Sequence, residues 1–219
     1  MEPSDRADFS RTWALVPIRG LETAKTRLGK NLDTEERVHL VTRLLRQTLI
    51  ATRDARRIDG TIVVTMDPAA AGIAKELRAV GLVERAPGLN EAIEAARSVA
   101  IARGATAIVV LPADLPSVAA GSVDDLIARA SAAAASPAGS PARVVALVPD
   151  RHGQGTNVLV VSPPDAIAPA FGVESRATHE RAAVAAGARY LELDSPLSLD
   201  LDTPADLIAA EAALGSLRG

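Results

Sequence analysis

The chain contains no cysteine and very few aromatic residues. Without cysteine, disulfides, thiolate nucleophiles and cysteine-ligated zinc are excluded. Aromatic residues make up 2% of the 219 residues, too few for the stacking platforms that hold single-stranded nucleic acids. The net charge is −3, so the chain also lacks the strongly basic balance of a general nucleic-acid binder. We therefore expect no nucleic-acid partner.

Long apolar runs are absent as well. The N-terminal stretch "MEPSDRADFSR" is polar and holds no apolar core of signal-peptide length. Nowhere does the sequence approach the ~20 consecutive apolar residues that a membrane-spanning helix needs. Hydrophobic residues still make up 48% of the chain and charged residues 23%, an ordinary balance for a globular protein with a sizeable core. We expect a cytoplasmic protein with no membrane partner.

Strand patterns alternate with helix patterns along the chain. Short apolar runs predict strands at 12–18, 60–66, 81–86, 143–150, 156–162 and 188–194, and a further strand that begins at 105. Apolar residues at helical spacing predict helices at 34–53, 89–104 and 175–186, and others that begin near 68, 122 and 203. Buried strands that alternate with helices form a mostly parallel sheet covered on both faces. The predicted fold class is α/β.

The second half departs from this alternation in two places. The strands at 143–150 and 156–162 are separated only by "RHGQG", and so short a connection predicts an inserted β-hairpin. The stretch "SAAAASPAGSPA", residues 131–142, is of low complexity and predicts a surface linker. No repeat or shift in composition divides the chain. We expect a single domain over 1–219, with a disordered tail at 1–11.

The loop after the first strand is rich in positive charge. It holds four cations within a dozen residues, Arg19, Lys25, Arg27 and Lys30, although the whole chain has only three lysines. Ligands of open α/β sheets bind at the carboxyl ends of the strands, where this loop lies. Four cations there suit a polyphosphate, which needs fixed donors and charge neutralisation. The alternative is a solvated basic turn, since the glycine patterns of known phosphate-binding loops are missing.

Three aspartates are predicted at the same edge of the sheet. Asp114 follows a strand in "LPADLP", and Asp200 and Asp202 stand in "LDLDTPAD". Carboxylate oxygens are the ligands that Mg²⁺ prefers, so the three residues predict a magnesium site facing the cationic loop. Local roles are the alternatives: Asp114 could form an Asx turn, and Asp202 or Thr203 could cap the helix that Pro204 begins. Asp200 has no such local role.

Further anion-binding positions are predicted in the second half. "DRHGQGTN", residues 150–157, offers glycines whose backbone N–H groups could form a phosphate nest. "FGVESRATHER" places Gly172 and Ser175 at a helix N-terminus, where an anion is favoured, although Ser175 could equally be a plain N-cap. His39 lies on an apolar helix and is expected to be packed. His152 and His179 fall in the anion loops, without a partner at zinc-ligand spacing.

With these residues in view, the chain resembles a known family. "PIRGLETAKTRLG", "GLNEAIEAA", "LPADLP", "DRHGQGTN", "FGVESRATH" and "LDLDTPADL" are, in that order, similar to motifs of the guanylyltransferases of deazaflavin coenzyme F-420 biosynthesis. The resemblance runs from about residue 13 to 213. It implies a single-domain, Rossmann-like nucleotidyltransferase fold. It also implies a reaction of GTP with a small phosphorylated acid, which is phosphoenolpyruvate in many bacteria and 2-phospho-L-lactate in archaea.

The resemblance also implies roles for individual residues. It implies three Mg²⁺ ligands and three residues that cradle the phospho-acid: Asp114, Asp200 and Asp202 for the metal, and Thr156, Gly172 and Ser175 for the acid.

For the nucleotide, Lys25 and Arg27 would hold the GTP phosphates as the catalytic cations, and Asn90 of "GLNEA" would lie beside the nucleoside. Where the family has lysine in a "PVK" start, this chain has Arg19, which keeps the charge of that nucleotide-binding position with a different geometry.

The implied chemistry agrees with what the sequence lacks. A phosphate monoester has a second pKa of about 6, so the attacking group is already ionised at neutral pH and needs no Ser-His or Cys-His pair. The reaction needs two repelling anions aligned and their charge neutralised, which cations and Mg²⁺ supply. The composition, with 21 arginines against 3 lysines, is typical of a bacterial protein and favours phosphoenolpyruvate as the acceptor.

Several alternatives stay open at the level of sequence. The acceptor could instead be 2-phospho-L-lactate or 3-phosphoglycerate. Another nucleotidyltransferase, using CTP or a sugar phosphate, would usually open with a glycine-rich "GGxxxR" loop that "RGLETAKTR" lacks. A dinucleotide-dependent oxidoreductase would need the G-x-G-x-x-G fingerprint, which this sequence lacks. A non-catalytic nucleotide-binding domain is the alternative of a different class. We also consider two protein partners, a downstream transferase and a second copy of the chain.

Overall fold

A seven-stranded sheet forms the centre of the fold. The computed structural model describes residues 7–26, 28, 32–85, 88–134 and 143–214. The strands are β1 (Thr12–Pro17), β2 (Gly60–Thr65), β3 (Val80–Val83), β4 (Ala107–Val110), β5 (Val144–Pro149), β6 (Thr156–Ser162) and β7 (Arg189–Glu192). The helices are α1 (Thr34–Asp54), α2 (Pro68–Glu76), α3 (Leu89–Ala102), α4 (Ala120–Ala134), α5 (Ser175–Ala185) and α6 (Pro204–Leu214), with a short 3-10 helix at Pro196–Ser198.

The strand order is β3-β2-β1-β4-β6-β5-β7, and β6 runs against the others. The predicted mostly parallel α/β sheet is confirmed, and so is the hairpin, which β5 and β6 form. The hairpin is not an appendage, because its two strands lie inside the sheet between β4 and β7. Since β6 is antiparallel, its first residue, Thr156, lies at the same edge as the carboxyl ends of the parallel strands. Ligands of open α/β sheets bind at this edge, which is called the ligand edge below. The reversed direction of β6 therefore places Thr156 at the ligand edge.

Helices cover both faces of the sheet, and alternate strand residues pack against them. On one face Ala14 and Val16 of β1 lie in the apolar clusters that include residues of α1, α2 and α4. On the other face Trp13 and Leu15 pack in the cluster that includes residues of α3 and α5. The near-continuous apolar strands of the sequence are therefore strands buried on both faces.

A separate apolar cluster fixes the loops at the ligand edge. Leu28 and Leu32, in the segment between β1 and α1, pack with two leucines of α1. Leu201, between two of the candidate aspartates, and Leu207 of α6 belong to the same cluster. The loop after β1 and the loop before α6 are thus held together, although about 170 residues separate them in the sequence.

Three expectations about individual segments are corrected. The tail expected at 1–11 is attached from residue 7, because Phe9 packs on the core and the backbone N–H of Asp8 donates to Ser162 Oγ; residues 1–6 lie outside the described part. The linker expected at 131–142 begins as the last turn of α4, which runs to Ala134, and 135–142 lie outside the described residues. His39 is exposed on α1 rather than packed.

None of the helices in the described ranges combines the length and apolar character that crossing a bilayer requires.

The packing of β3 against α2 leads to a stability prediction. A Cβ on Gly81 would lie 2.4 Å from the carbonyl oxygen of Ala71, which is backbone and cannot move aside cheaply. Gly81→Ala should therefore lower the free energy of unfolding, by about 1–3 kcal/mol for an overpacked core site. Gly72→Ala is the matched control, because Gly72 lies within α2 with open space around it, and alanine there should stabilise by roughly 0.5–1 kcal/mol. Urea unfolding of both variants measures the difference, and a Gly81→Ala protein as stable as the parent would contradict this account.

Candidate active site

A buried lysine lies between two aspartates at the ligand edge. Lys25 Nζ donates to Asp114 Oδ2 and to Asp202 Oδ1, each at 2.6 Å. The Lys25 side chain is 9% exposed, whereas that of Asp202 is 49% exposed. Burial alone lowers the pKa of Lys25, but the charges and hydrogen bonds of the two aspartates outweigh it and raise the pKa above its usual value. The group is therefore an ammonium ion, held by two carboxylates that come from distant parts of the chain.

Several contacts fix the turn that carries Lys25. The residue itself has a φ of 57°, a left-handed conformation that is uncommon outside glycine. The Arg37 guanidinium of α1 donates to the carbonyl of Ala24 at 2.9 Å. Asp67, which caps α2, also accepts the backbone N–H of Leu21 at 2.9 Å. The first and second helices thus hold the loop in the shape that places the ammonium group between the aspartates.

Asp200 completes an acidic group of three. The backbone N–H of Leu201 donates to the carbonyl of Asp114 at 3.1 Å, which joins the two acidic loops directly. Burial raises the pKa of Asp200, and the negative charges of Asp114 and Asp202 raise it further. The predicted gathering of the three aspartates near Lys25 is therefore present. One ammonium faces three carboxylates, so the cluster keeps an excess of negative charge.

The N-terminus of α6 shows which residue is the cap. Thr203 Oγ1 accepts the backbone N–H of Asp206, and Asp206 Oδ2 accepts the backbone N–H groups of Asp202 and Thr203. Burial raises the pKa of Asp206, but these hydrogen bonds outweigh it and hold the pKa low. The Arg151 guanidinium lies against Asp206 Oδ1 as an ion pair. Capping thus belongs to Thr203 and Asp206, and the Asp202 carboxylate is left to Lys25.

The residues expected to cradle the phospho-acid also meet in space. Ser175 is the first residue of α5, and His179 follows one turn later on the same face. Both are buried, and His179 Nδ1 lies 3.0 Å from Thr156 Oγ1 at the start of β6. Gly172 has a φ of 132°, open to glycine alone, and its carbonyl accepts the Ser175 N–H. Ser175 is not the N-cap, because Glu174 occupies that position without a side-chain cap.

The expected phosphate nest at 150–157 is wrong. Asp150 Oδ1 accepts the backbone N–H groups of His152 and Gln154, and the Asp150 carbonyl accepts that of Gly153. Two of these amides bind the Asp150 carboxylate and the third binds the Asp150 carbonyl, so none of the three is left for a phosphate. The loop is a hairpin turn closed by Asp150, and Thr156 follows it as the first residue of β6.

The remaining residues predicted to bind the nucleotide lie in different environments. Asn90 accepts the Phe171 N–H at 2.8 Å and donates to the Phe171 carbonyl at 3.1 Å, so its amide joins α3 to the loop before α5. A place beside the nucleoside stays a prediction. Arg19 is exposed directly after β1. Arg27 and Lys30 lie outside the described residues.

Two features of the site were missed from sequence. The sequence-based prediction places His179 only in an anion loop, although its spacing of four from Ser175 on a predicted helix indicates a shared face. The Arg151–Asp206 ion pair joins the hairpin loop to α6 and has no sequence signal, because the two residues lie 55 positions apart.

The donor set suits a hard divalent cation shared with a substrate. Within the described residues, no three acidic or histidine side chains are arranged to surround an ion. Magnesium, however, usually takes one or two carboxylates and completes its shell with water and substrate phosphates. Among the residues that the structure describes, carboxylates outnumber cations beside Asp200, which fits that mode of binding, and the magnesium assignment of Asp114, Asp200 and Asp202 stays a prediction.

Substitution of Asp200 and Asp202 should change stability in opposite directions. Asp200→Asn removes a partly buried charge that its acidic neighbours disfavour, so the melting temperature should rise. Asp202→Asn weakens one of the two partners of the Lys25 ammonium, so the free energy of unfolding should fall by about 1–3 kcal/mol. Because Thr203 is the cap, a lost cap cannot explain that decrease. Thermal unfolding in metal-free buffer at neutral pH tests both, and equal shifts in one direction would contradict this electrostatic picture.

His179 should make the protein sensitive to mild acid. Burial lowers the pKa of His179 to about 4, against 6.5 for a free histidine, so between these values the unfolded state binds more protons. Stability is thus fully present above pH 6.5 and decreases as the pH falls toward 4, by about 2 kcal/mol at pH 5. His179→Asn should lose this part of the pH dependence in urea unfolding at pH 7 and pH 5. His39→Asn, which removes an exposed histidine, should keep it; identical profiles for all three proteins would contradict the assignment.

Comparison with known proteins agrees with this geometry. The family described as "Guanylyl transferase CofC like" matches residues 12–211. A phosphoenolpyruvate guanylyltransferase from Sphaerobacter thermophilus is 40% identical over 208 residues, which cover 94% of this chain and 96% of that protein. A phosphoenolpyruvate guanylyltransferase from Conexibacter woesei is 37% identical over 212 residues, covering 95% and 91%.

The fold is also shared with a more distant solved structure. That of a 4-diphosphocytidyl-2C-methyl-D-erythritol synthase superposes with a TM-score of 0.63 at 16% identity, covering 94% of this chain and 99% of the other. At this identity the likeness concerns the fold alone. Because the family match spans nearly all of the described sheet and both halves of the site, the protein belongs to the CofC-like guanylyl transferases and is a nucleotidyltransferase.

Proposed function

We propose that the protein joins GTP to phosphoenolpyruvate, which yields enolpyruvyl-diphospho-guanosine and pyrophosphate for coenzyme F-420 biosynthesis. One observation carries the proposal: the Lys25–aspartate cluster and the group formed by Thr156, Ser175 and His179 lie at the same edge of one sheet. A charged cluster and a group of neutral donors at one edge suit the alignment of two anions. The two relatives named above carry this activity in their names.

The phospho-acid acceptor needs hydrogen-bond donors to bind it rather than a general base to activate it. Thr156 and Ser175 each supply a hydroxyl, and the N-terminus of α5 at Ser175 adds the positive end of the helix dipole. Gly172 allows the chain to turn into that N-terminus because its φ of 132° would strain any other residue. These groups would bind the carboxylate and phosphate of the acid and keep the phosphate ionised.

The chemical step forms one phosphorus–oxygen bond and breaks another. A phosphate oxygen of the acceptor attacks the α-phosphorus of GTP, and the bond from that phosphorus to the oxygen bridging to the β-phosphate breaks. Pyrophosphate leaves with the electron pair, so atoms and charge balance. Lys25 contributes by holding Asp114 and Asp202 at a fixed separation and by adding positive charge where negative charge collects.

The negative charge of the aspartate cluster is the reason that the proposal includes a metal ion. Three carboxylates against one ammonium would repel a triphosphate, so GTP needs additional positive charge to bind there. Asp114, Asp200 and Asp202 would hold Mg²⁺, which when bound supplies charge neutralisation at the GTP phosphates. Arg19 and Arg27 are proposed to contribute to the nucleotide side, and Asn90 keeps the loop before α5 in place.

The alternatives differ in what they predict for this site. A 2-phospho-L-lactate or 3-phosphoglycerate guanylyltransferase would use the same residues with a different acid. A cytidylyltransferase would share the fold but prefer CTP. A non-catalytic domain would have no need for a group of neutral donors at the same edge as the charged cluster. We favour phosphoenolpyruvate because the relatives are named for it, and we propose a downstream transferase in the cytoplasm as the consumer of the product.

Pyrophosphate release gives the test. With Mg²⁺ and GTP, release should require an acceptor and should be fastest with phosphoenolpyruvate when 2-phospho-L-lactate and 3-phosphoglycerate are measured beside it. Asp114→Asn and Asp200→Asn should lower kcat/KM by about 100-fold or more, as loss of a transition-state electrostatic contact does. Asp165→Asn is the matched control, because that exposed carboxylate follows the other end of β6, and it should keep full activity.

Three outcomes would overturn the proposal. Release from GTP alone at the same rate would make the protein a hydrolase. A clear preference for another acid or for CTP would assign it to one of the alternatives. Normal turnover in both aspartate variants would show that the acidic cluster is only structural.

A further inference from the structure

We infer that His179 is a positioning residue that directs the Thr156 hydroxyl hydrogen toward an anionic oxygen of the acceptor. The inference deepens the proposed function and rests on it, because it assumes that the acceptor binds at Thr156. His179 does not touch the reacting atoms and is not a catalytic residue.

The tautomer of His179 follows from its two contacts. The backbone N–H of Ala170 lies 3.0 Å from Nε2, and a backbone N–H can only donate. Nε2 must therefore carry a lone pair, which leaves the imidazole proton on Nδ1. Burial lowers the pKa of His179 to about 4, so the ring is neutral at physiological pH. Nδ1 is therefore a hydrogen-bond donor, and Nε2 is a hydrogen-bond acceptor.

The direction of the Thr156 hydroxyl follows from the tautomer. Nδ1–H donates to Thr156 Oγ1 at 3.0 Å, so the Thr156 hydrogen cannot also point at His179. Among the residues that the structure describes, His179 is the one side chain bonded to Oγ1. A serine or threonine hydroxyl can donate and accept, and here its hydrogen is left to donate to a group other than His179. The hydrogen bond that it donates is strongest toward a charged oxygen, such as that of a phosphate or a carboxylate.

His179 also fixes the backbone opposite Thr156. The Phe171 ring packs edge-on against the imidazole at a centroid distance of 5.2 Å. Asn90 holds the backbone of Phe171 from the other side through two hydrogen bonds. The segment from Ala170 to Gly172 is therefore held by His179 and Asn90 together, and this segment leads directly into the α5 N-terminus. His179 thus links the Thr156 hydroxyl to the segment that leads into α5.

Two substitutions of His179 test the contributions of its two ring nitrogens separately. Asparagine places an N–H near the position of Nδ1, whereas glutamine places its amide near Nε2, where its oxygen can accept the Ala170 N–H, and leaves no donor at the position of Nδ1. His179→Gln should raise the KM for phosphoenolpyruvate about tenfold, as loss of one hydrogen bond to a charged group does, with the KM for GTP unchanged. His179→Asn should recover most of the affinity for the acceptor. A rise in both KM values together would overturn the inference, since a general structural role would affect both substrates.

A double-mutant cycle tests the route through Thr156. Thr156→Val removes the hydroxyl with little change in shape and should raise the KM for phosphoenolpyruvate at least as much as His179→Gln. Adding His179→Gln to Thr156→Val should then cause no further loss, because the group that His179 directs is gone. Multiplying effects of the two substitutions would contradict the inference.

A spectroscopic measurement keeps the test independent of activity and of variant folding. The chain has only three histidines, so the ¹⁵N signals of His179 can be assigned in the wild-type protein. The inference expects a protonated Nδ1 and a bare Nε2 throughout pH 6–8. A proton on Nε2 would overturn it even if the enzyme is active. If the tautomer is the expected one but no transfer to phosphoenolpyruvate is measured, the proposed function is wrong. The geometry of His179 and Thr156 would still stand.

Discussion

Negative charge is concentrated at one edge of the sheet, and the fold of that edge depends on how the charge is compensated. Lys25, Asp114 and Asp202 come from three loops that are distant in sequence, and their ion pairs join these loops around a largely buried ammonium. A buried charge is tolerated only when it is paired and hydrogen-bonded, so removing any partner leaves the others uncompensated. The apolar cluster formed by Leu28, Leu201 and their neighbours gives the loops a second, non-polar attachment beneath the ion pairs. Charge and packing therefore specify the same arrangement.

The direction of one strand places the second half of the site. In a fully parallel sheet the first residue of every strand lies at the edge opposite the ligand site. Because β6 is antiparallel, Thr156 begins at the ligand edge, where α5 brings Ser175 and His179 against it. Thr156 and the residues of α5 that pack on it then lie at the same edge as the charged cluster rather than across the sheet from it. A transfer between two anionic substrates needs both groups at one edge.

The stretch "LDLDTPAD" shows how closely structural and chemical roles can lie in a sequence. Thr203 and Asp206 satisfy the first amides of α6, and Arg151 pairs with Asp206 from the hairpin loop. Asp202 is one residue away from the cap, yet its carboxylate points to Lys25. Asp200 carries no cap and no ion pair within hydrogen-bonding distance among the described contacts, and its neighbours raise its pKa. The polar residues of this stretch thus divide between a helix terminus and the acidic cluster around Lys25.

Local patterns in the sequence determined the order of strands and helices, the mostly parallel sheet, the hairpin and the edge at which Asp114, Asp200 and Asp202 gather. Those features follow from periodicity, from turn length and from the rule that parallel strands end at a common edge, and all of these act over short stretches. Tertiary structure decided what local patterns left as alternatives. Whether Asp202 or Thr203 caps α6 depended on Lys25, 177 positions away, and the amides of 152–154 went to Asp150 rather than to a phosphate nest. His39, expected to be packed, is exposed, and His179, placed by its sequence in an anion loop, is buried, because burial depends on which helix face meets the sheet. Contacts between distant residues set the partner of each polar group, and a single stretch of sequence does not contain them.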